Sequence, residues 1–287
     1  MTTGVSKNVK AASSAIQIDL APQPRWLNMG SILFNEIQKG LIIQWSYKFN
    51  MVTELVMLAF LFVGISFFMG GGTLDADNLA PALIGYSMWF YVTIALSSMS
   101  WSLREEAQQG TLEQMYMSTA PATLIQIGRS LSTVLVTTFM VLCISIPMIF
   151  ALNIELPFRL AALPVFILTM FGAYGFSFMV GGATLLFKQV GSLANLIQNV
   201  MLFLNGAFLP IEHLPPWMVV IAQTLPTTQG IIVLRNVILD GQSLSSAWID
   251  GSLSWLVIHS TLYFVSGLLV FAYCERKAKQ KGLLGQY

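Results

Sequence analysis

The sequence predicts an all-α integral membrane protein with six transmembrane helices, and three observations carry that prediction. Hydrophobic residues make up 55% of the chain and charged residues 9%, where a soluble domain carries about 25% charge. Six runs of roughly 20 apolar residues, near 50–70, 79–102, 124–151, 160–187, 191–210 and 251–274, are each long enough to cross the hydrocarbon of a bilayer. The cations also segregate. Lys7, Lys10, Arg25, Lys39, Lys48, Arg104, Arg129, Lys188, Arg276, Lys277, Lys279 and Lys281 fall on one side of this layout, and only Arg159 and Arg235 on the other. By the positive-inside rule the first side is cytosolic and holds both termini, and the loop with Asp75 and Asp77 is external. A multi-pass protein of a prokaryotic plasma (inner) membrane is expected, with lipid around it.

Residues 1–24 are rich in Ser, Thr, Ala, Asn and Lys, close on Pro22 and Pro24, and hold no continuous apolar core, so they read as a disordered tail rather than a secretory signal. From Trp26 to Lys48 the pattern turns amphipathic. Trp26, Met29, Leu33, Ile37, Leu41 and Trp45 recur at three- and four-residue steps, with Asn28, Ser31, Asn35, Gln38 and Lys39 opposite. This helix is too polar to span and is expected in the interface. The last twelve residues, 276–287, read as a basic tail.

Between the second and third spans the chain reads REEAQQGTLEQMYMSTAP, Arg104 to Pro121, its most polar run between two apolar segments. Gly110 breaks the chain. Thr111 with Gln114 three residues on offers a capping box, and Glu113 meets the positive end of the helix dipole. Leu112, Met115 and Tyr116 make an apolar stripe, and Pro121 stops the helix. A short amphipathic helix on the membrane surface is expected, either a solvated connector or a helix that docks on another protein.

The spans carry few polar groups. Glu54 lies shallow in the first, either a functional acid or one paired with a base such as Arg129 or Lys48. Asn195, Gln198 and Asn199 in the fifth bond a neighbouring helix or line a pathway. Tyr86, Met88, Trp89, Tyr91 and Met99 make the second span aromatic and Met-rich. Ala173, Ser177 and Gly181, with Gly172, Gly175 and Gly182, suit the fourth span to close helix contact. Pro147 should kink the third. Cys143 and Cys274 read as unpaired packing residues.

Residues 205–247 hold two apolar pieces, Trp217–Leu225 and Ile231–Leu239, too short to cross and punctuated by Pro210, Pro215, Pro216 and Pro226. They read as short re-entrant helices on the external side, or as an ordinary loop. Irregular backbone at membrane depth must be buried in protein. No phosphate-binding G-x-x-x-x-G-K-[ST] stretch occurs. Nor is there a nucleophile–base pair, a metal-ligand cluster or a basic–aromatic nucleic-acid patch, so neither a catalytic site nor a bound cofactor is expected in this chain.

Two stretches carry a resemblance. Glu106, Gly110, Thr111, Leu112, Glu113 and Gln114, followed by Pro121, form E-x-x-x-G-T-L-E-Q before a short A-P. Gly206 to Trp217 reads G-x-F-x-P-I-E-x-L-P-x-W. Over residues 26–275 the chain resembles type-2 ABC transporter permeases, although Gln108 and Gln109 stand where the family's usual form is more charged. The resemblance implies the membrane subunit of an exporter of hydrophobic or amphipathic substrates, a homodimer or a pair with a related permease. A separate ABC-type ATPase chain would hold ATP and Mg. It implies that the short helix (Glu106, Gly110, Thr111, Leu112, Glu113, Gln114, Met115, Tyr116) is a cytosolic coupling helix against that ATPase, which the interfacial helix also touches. It further implies a pathway between the second and fifth spans of two protomers (Tyr86, Trp89, Asn195, Gln198, Asn199). The outer closure would include Phe208, Pro210, Glu212, Pro215 and Trp217. An ATP-independent channel or scaffold, or a membrane-embedded lipid-modifying enzyme, is the alternative, the latter lacking the clustered acids or histidines it needs.

Overall fold

The computed structural model describes residues 25–74, 76–117, 122–187, 190–208, 211 and 214–282. The tail over 1–24 lies outside them, as do Asp75, Pro121, Lys188, Pro210, Glu212 and the last five residues. Among the described residues the chain is helical throughout, with no strand. The helices are α1 (Arg25–Ser46), α2 (Lys48–Met69), α3 (Ala76–Gln108), α4 (Leu112–Met117), α5 (Ala122–Ala151), α6 (Ala162–Leu186), α7 (Gly191–Leu204), α8 (Pro216–Thr224), α9 (Thr228–Ile238), α10 (Leu244–Ile249) and α11 (Ser252–Gln280). Five of them, α2, α3, α5, α6 and α11, are long and apolar enough to cross a membrane. The count rises to six if α8 and α9, bent by 90° at a short break, are taken as one broken span.

The fifth apolar run departs from its expected bounds. Predicted over 191–210, it forms a helix of 14 residues, about 21 Å at 1.5 Å per residue and short for a straight crossing. The cause is local. Asn205 turns its Oδ1 to accept the Ala207 N–H at 3.0 Å, and Gly206 takes φ 78°, a left-handed conformation that glycine adopts without steric cost. Two other ends run past the apolar segments. Helix α3 continues to Gln108 and α11 to Gln280, so the predicted basic tail begins as helix. A Glu275–Lys279 pair at 2.6 Å supports that last turn.

Helix α3 is the centre of the bundle and is largely enclosed by α5, α6, α7 and α9, whereas α2 and α5 keep most of their surface outward. The most extensive helix pair is α6 with α11, and it uses the predicted small residues. Gly175 lies against the backbone of Tyr263 and Phe264, Gly182 against Phe271, and Gly172 against Ser260. Gly181 faces the other way, onto Met99 and Leu103 of α3. Small residues let helix backbones approach where lipid offers no hydrophobic driving force.

At the end of the bundle that holds α9, Arg235 binds three elements together. Its guanidinium donates to the Pro81 carbonyl of α3 at 3.0 and 2.7 Å and to the Ala207 carbonyl after α7 at 2.8 Å. The Ala207 carbonyl lies in irregular backbone after α7, outside any helix ladder, and the Pro81 carbonyl takes the guanidinium in addition to its place in α3. Arg235→Met removes these charge-assisted hydrogen bonds and should destabilise the fold by about 2 kcal/mol. A lowered melting midpoint of the reconstituted protein checks this, and an unchanged midpoint refutes it.

Candidate functional site

The opposite end of the bundle is organised around Arg129, about two turns into α5. Its Nε bonds Glu36 Oε2 of α1 at 3.3 Å, one terminal nitrogen donates to the Ser102 hydroxyl of α3 at 2.8 Å, and the other reaches Glu106 Oε1 at 2.6 Å. The side chains of the Glu36 and Glu106 pairs are only about one fifth exposed. A planar guanidinium with donors in a fixed fork can hold several acceptors at once, which a lysine ammonium cannot do in the same geometry. Glu106 carries the network one step further, because the Thr111 hydroxyl donates to its other carboxylate oxygen and, at 3.3 Å, to its carbonyl. Helices α1, α3 and α5 and the start of α4 are thus tied through one cation.

Between Glu106 and Thr111 the backbone makes a tight stop. Thr111 N–H donates to the Glu106 carbonyl at 2.9 Å, Gly110 N–H to Ala107 at 3.2 Å, and Gly110 adopts φ 72°. This is a Schellman ending with glycine in its usual left-handed place. It also explains the motif spacing, since the residue four before the glycine supplies both the last carbonyl and the carboxylate. The Thr111 hydroxyl, expected to cap α4 in a box with Gln114, is engaged instead with Glu106.

Helix α4 lies with its apolar stripe inward. Leu112 is 1% exposed and Met115 is buried, and both belong to one buried cluster that includes Leu103, Ala107, Ile125 and Phe271. Tyr116 is half-buried, with the Lys279 ammonium 4.7 Å above its ring. Burial, with Glu275 nearby, pushes its phenol pKa up. The outward face presents Gln114 and Met117, the latter 79% exposed, next to exposed Gln109 and Gly110. The Glu113 side chain is outside what is described.

The remaining candidates divide into two groups. Tyr86, Trp89 and Phe208 come together in one aromatic cluster with Phe62, ring centroids 5.4 to 6.3 Å apart. Tyr86 donates to the Leu58 carbonyl at 2.9 Å, and the Trp89 indole N–H to the Gln198 carbonyl at 2.9 Å. The Gln198 amide in turn donates to Ser97 Oγ at 2.9 Å, so this residue joins α7 to α3 inside the protomer. Asn195 and Asn199 lie on the other, exposed face of α7, and Pro215 and Trp217 are exposed at the start of α8. The predicted Glu54 pairing with Arg129 or Lys48 does not form, because Arg129 is committed to Glu36 and Glu106. Sequence reasoning never grouped Glu36, Ser102 and Arg129 with the motif. The available signal was an isolated cation, Arg129, eight residues past Pro121 in a run with no other charge nearby.

The model of the ABC-2 type transporter family matches residues 32–239, from α1 through α9, which is well over half of the chain. No curated protein matches it. A helical membrane bundle with the Glu106–Gly110–Thr111 stop at one end, and a family match that covers that stop, lead to one assignment: this chain belongs to the ABC-2 type transporter family, as a membrane-spanning transport protein.

Proposed function

We propose that the chain is the permease subunit of an ATP-binding-cassette exporter. It moves a hydrophobic or amphipathic substrate out of the cytoplasm, and a separate ATPase chain that binds ATP and Mg drives it. The observation that carries this reading is the anchorage of α4. A solvated connector has no need of a buried stripe, a Schellman stop and an ionic hub that reaches two other helices. A helix that must transmit a push does, because displacement at one end reaches the spans only through stiff contacts. On this reading the ATPase seats on the outward face of α4, Gln114 and Met117. Leu112 and Met115 pass the motion inward, and Arg129 shares it with α1, α3 and α5.

The side bearing α4 is cytosolic on this reading, in keeping with the positive-inside bias of the cations, and the membrane is the plasma membrane of a prokaryote. A second copy, or a related permease, covers the exposed face of α7. Asn195 and Asn199 then border a cavity between the two protomers, with Tyr86 and Trp89 stiffening the wall from behind. Phe208, Pro215 and Trp217 close the outer side.

The test is a double variant, Gln114→Arg with Met117→Asp. Both side chains are exposed, so insertion and melting should be unchanged while ATPase copurification falls at least roughly tenfold, about 1.4 kcal/mol of binding, and transport stops. Full ATPase recovery with the double variant would remove α4 as the docking helix. An ATPase that never copurifies with the wild-type chain would instead favour an ATP-independent channel.

A further inference from the structure

A second feature lies beside the hub. A cleft of about 580 Å³ opens between α1, α2, α3 and α5, within the range of sites that bury a small organic ligand. Four carboxylates line it (Glu36, Glu54, Glu105, Glu106) against two cations, Lys39 and Arg129. Arg129 is taken up by Glu36 and Glu106. Glu54, six residues into α2 and thus about 9 Å along it, is half-buried and has no hydrogen-bond or ion-pair partner among the described residues. Ser97 and Thr137 add hydroxyls to the lining. The cleft meets an apolar groove of about 520 Å³, lined by Leu41, Trp45, Leu135 and Phe139 on the lipid-facing side, and the two share Gln44 and Val136.

We infer that this joined cleft and groove binds a lipophilic cation, its charge against Glu54 and its apolar body in the groove beside the acyl chains. A half-buried carboxylate with no cation beside it is partly desolvated at a cost, and an organic cation relieves that cost where a neutral or anionic amphipath does not. Interaction between unlike charges strengthens as water is excluded, so the sign of the ligand's charge dominates selection. The apolar groove excludes small hydrated ions as the preferred occupant. The site lies within one protomer, apart from any cavity between two. The inference deepens the exporter reading and rests on it for the claim that such cations are cargo; the binding itself does not.

Tetraphenylphosphonium and tetraphenylborate, matched in shape and opposite in charge, provide the test. Binding of each is measured on the full chain in nanodiscs of neutral lipid without nucleotide. Wild type should bind the phosphonium saturably and at least tenfold more tightly than the borate. Glu54→Gln should remove that preference, and Glu54→Asp should keep most of it. Val136→Trp, which fills the junction of cleft and groove while leaving the carboxylate, should also weaken the phosphonium. Equal phosphonium binding by wild type and Glu54→Gln overturns the inference, as does equal binding of the two probes by wild type. If the chain recruits its ATPase but shows no phosphonium preference, only this site is wrong. A preference in a chain that recruits no ATPase leaves the site standing and removes the exporter reading.

Discussion

Arg129→Met is expected to destabilise the protein by about 2 kcal/mol and to uncouple transport from ATP hydrolysis. The physical reason is that one cation compensates two carboxylates from different helices, Glu36 and Glu106, at 3.3 and 2.6 Å. Without it both anions face the same cleft with unmet hydrogen-bonding capacity, at about 1–3 kcal/mol for each such group when buried. Both are partly exposed, so water recovers a share and the lower end of the range applies. Arg129→Lys keeps the charge but loses the fork, and should fall between wild type and the methionine variant. A double variant, Arg129→Met with Glu106→Gln, should melt higher than Arg129→Met alone, because it removes one of the stranded anions. The coupling energy in that cycle should lie between about 0.5 and 3 kcal/mol. An Arg129→Met protein that melts with wild type would show that the hub holds nothing together. Functionally the loss should separate two readouts. The outward face of α4 remains, so ATPase copurification persists, whereas transport per ATP hydrolysed collapses because α1 and α5 no longer follow α4.

The bundle itself was legible in the sequence because hydrocarbon imposes a length and a composition that no other environment does. Hydropathy marks where lipid ends, however, and not where a helix ends. Arg104, Glu105 and Glu106 continue α3 past its apolar run, and Glu275 to Lys279 continue α11, because charged residues are good helix formers outside the membrane. In the fifth run hydropathy erred the other way. Asn205 and Gly206 end the helix inside an apolar stretch through a side-chain turn and a left-handed backbone.

The site was half legible. Gly110 and Glu106 form a local motif, and local motifs can be read along a chain. The partners of Glu106 cannot. Glu36 and Arg129 are separated by 93 residues, and a single sequence gives no measure of which distant acid a cation will meet. Depth alone would pair Arg129 with Glu54, yet both border one cleft and the guanidinium goes to Glu36 and Glu106. The apolar stripe Leu112, Met115 and Tyr116 was equally visible, but a stripe does not say what covers it. Here the chain's own α3, α5 and α11 do, which leaves Gln114 and Met117 for any partner.

Gly267→Ala should be among the most damaging single-methyl changes in the protein. A β-carbon at Gly267 would come within 2.7 Å of the Gly175 carbonyl carbon and 2.9 Å of its Cα, and one at Gly175 would meet the Phe264 backbone at 2.5 Å. Backbone cannot swing aside as a side chain can, so α6 and α11 must separate. Overpacking of this kind costs about 1–3 kcal/mol, and in a bilayer the separated helices gain no hydrophobic compensation. Gly267→Leu should prevent assembly altogether. Gly64→Ala in α2 is the matched control. Nothing lies within 4 Å of a methyl there, and a helix-interior glycine replaced by alanine gains about 1 kcal/mol. Melting in nanodiscs should therefore rank Gly64→Ala above wild type and wild type above Gly267→Ala. A Gly267→Ala protein as stable as wild type would mean the helices are not in backbone contact. The consequence reaches the other end of α11. Lys279 lies over the Tyr116 ring and Phe271 belongs to the buried cluster that holds Leu112 and Met115, so a shift of α11 at Gly267 disturbs the support of α4. Where Gly267→Ala still folds, its coupling ratio should fall toward that of Arg129→Met, although neither residue lies on the outward face of α4.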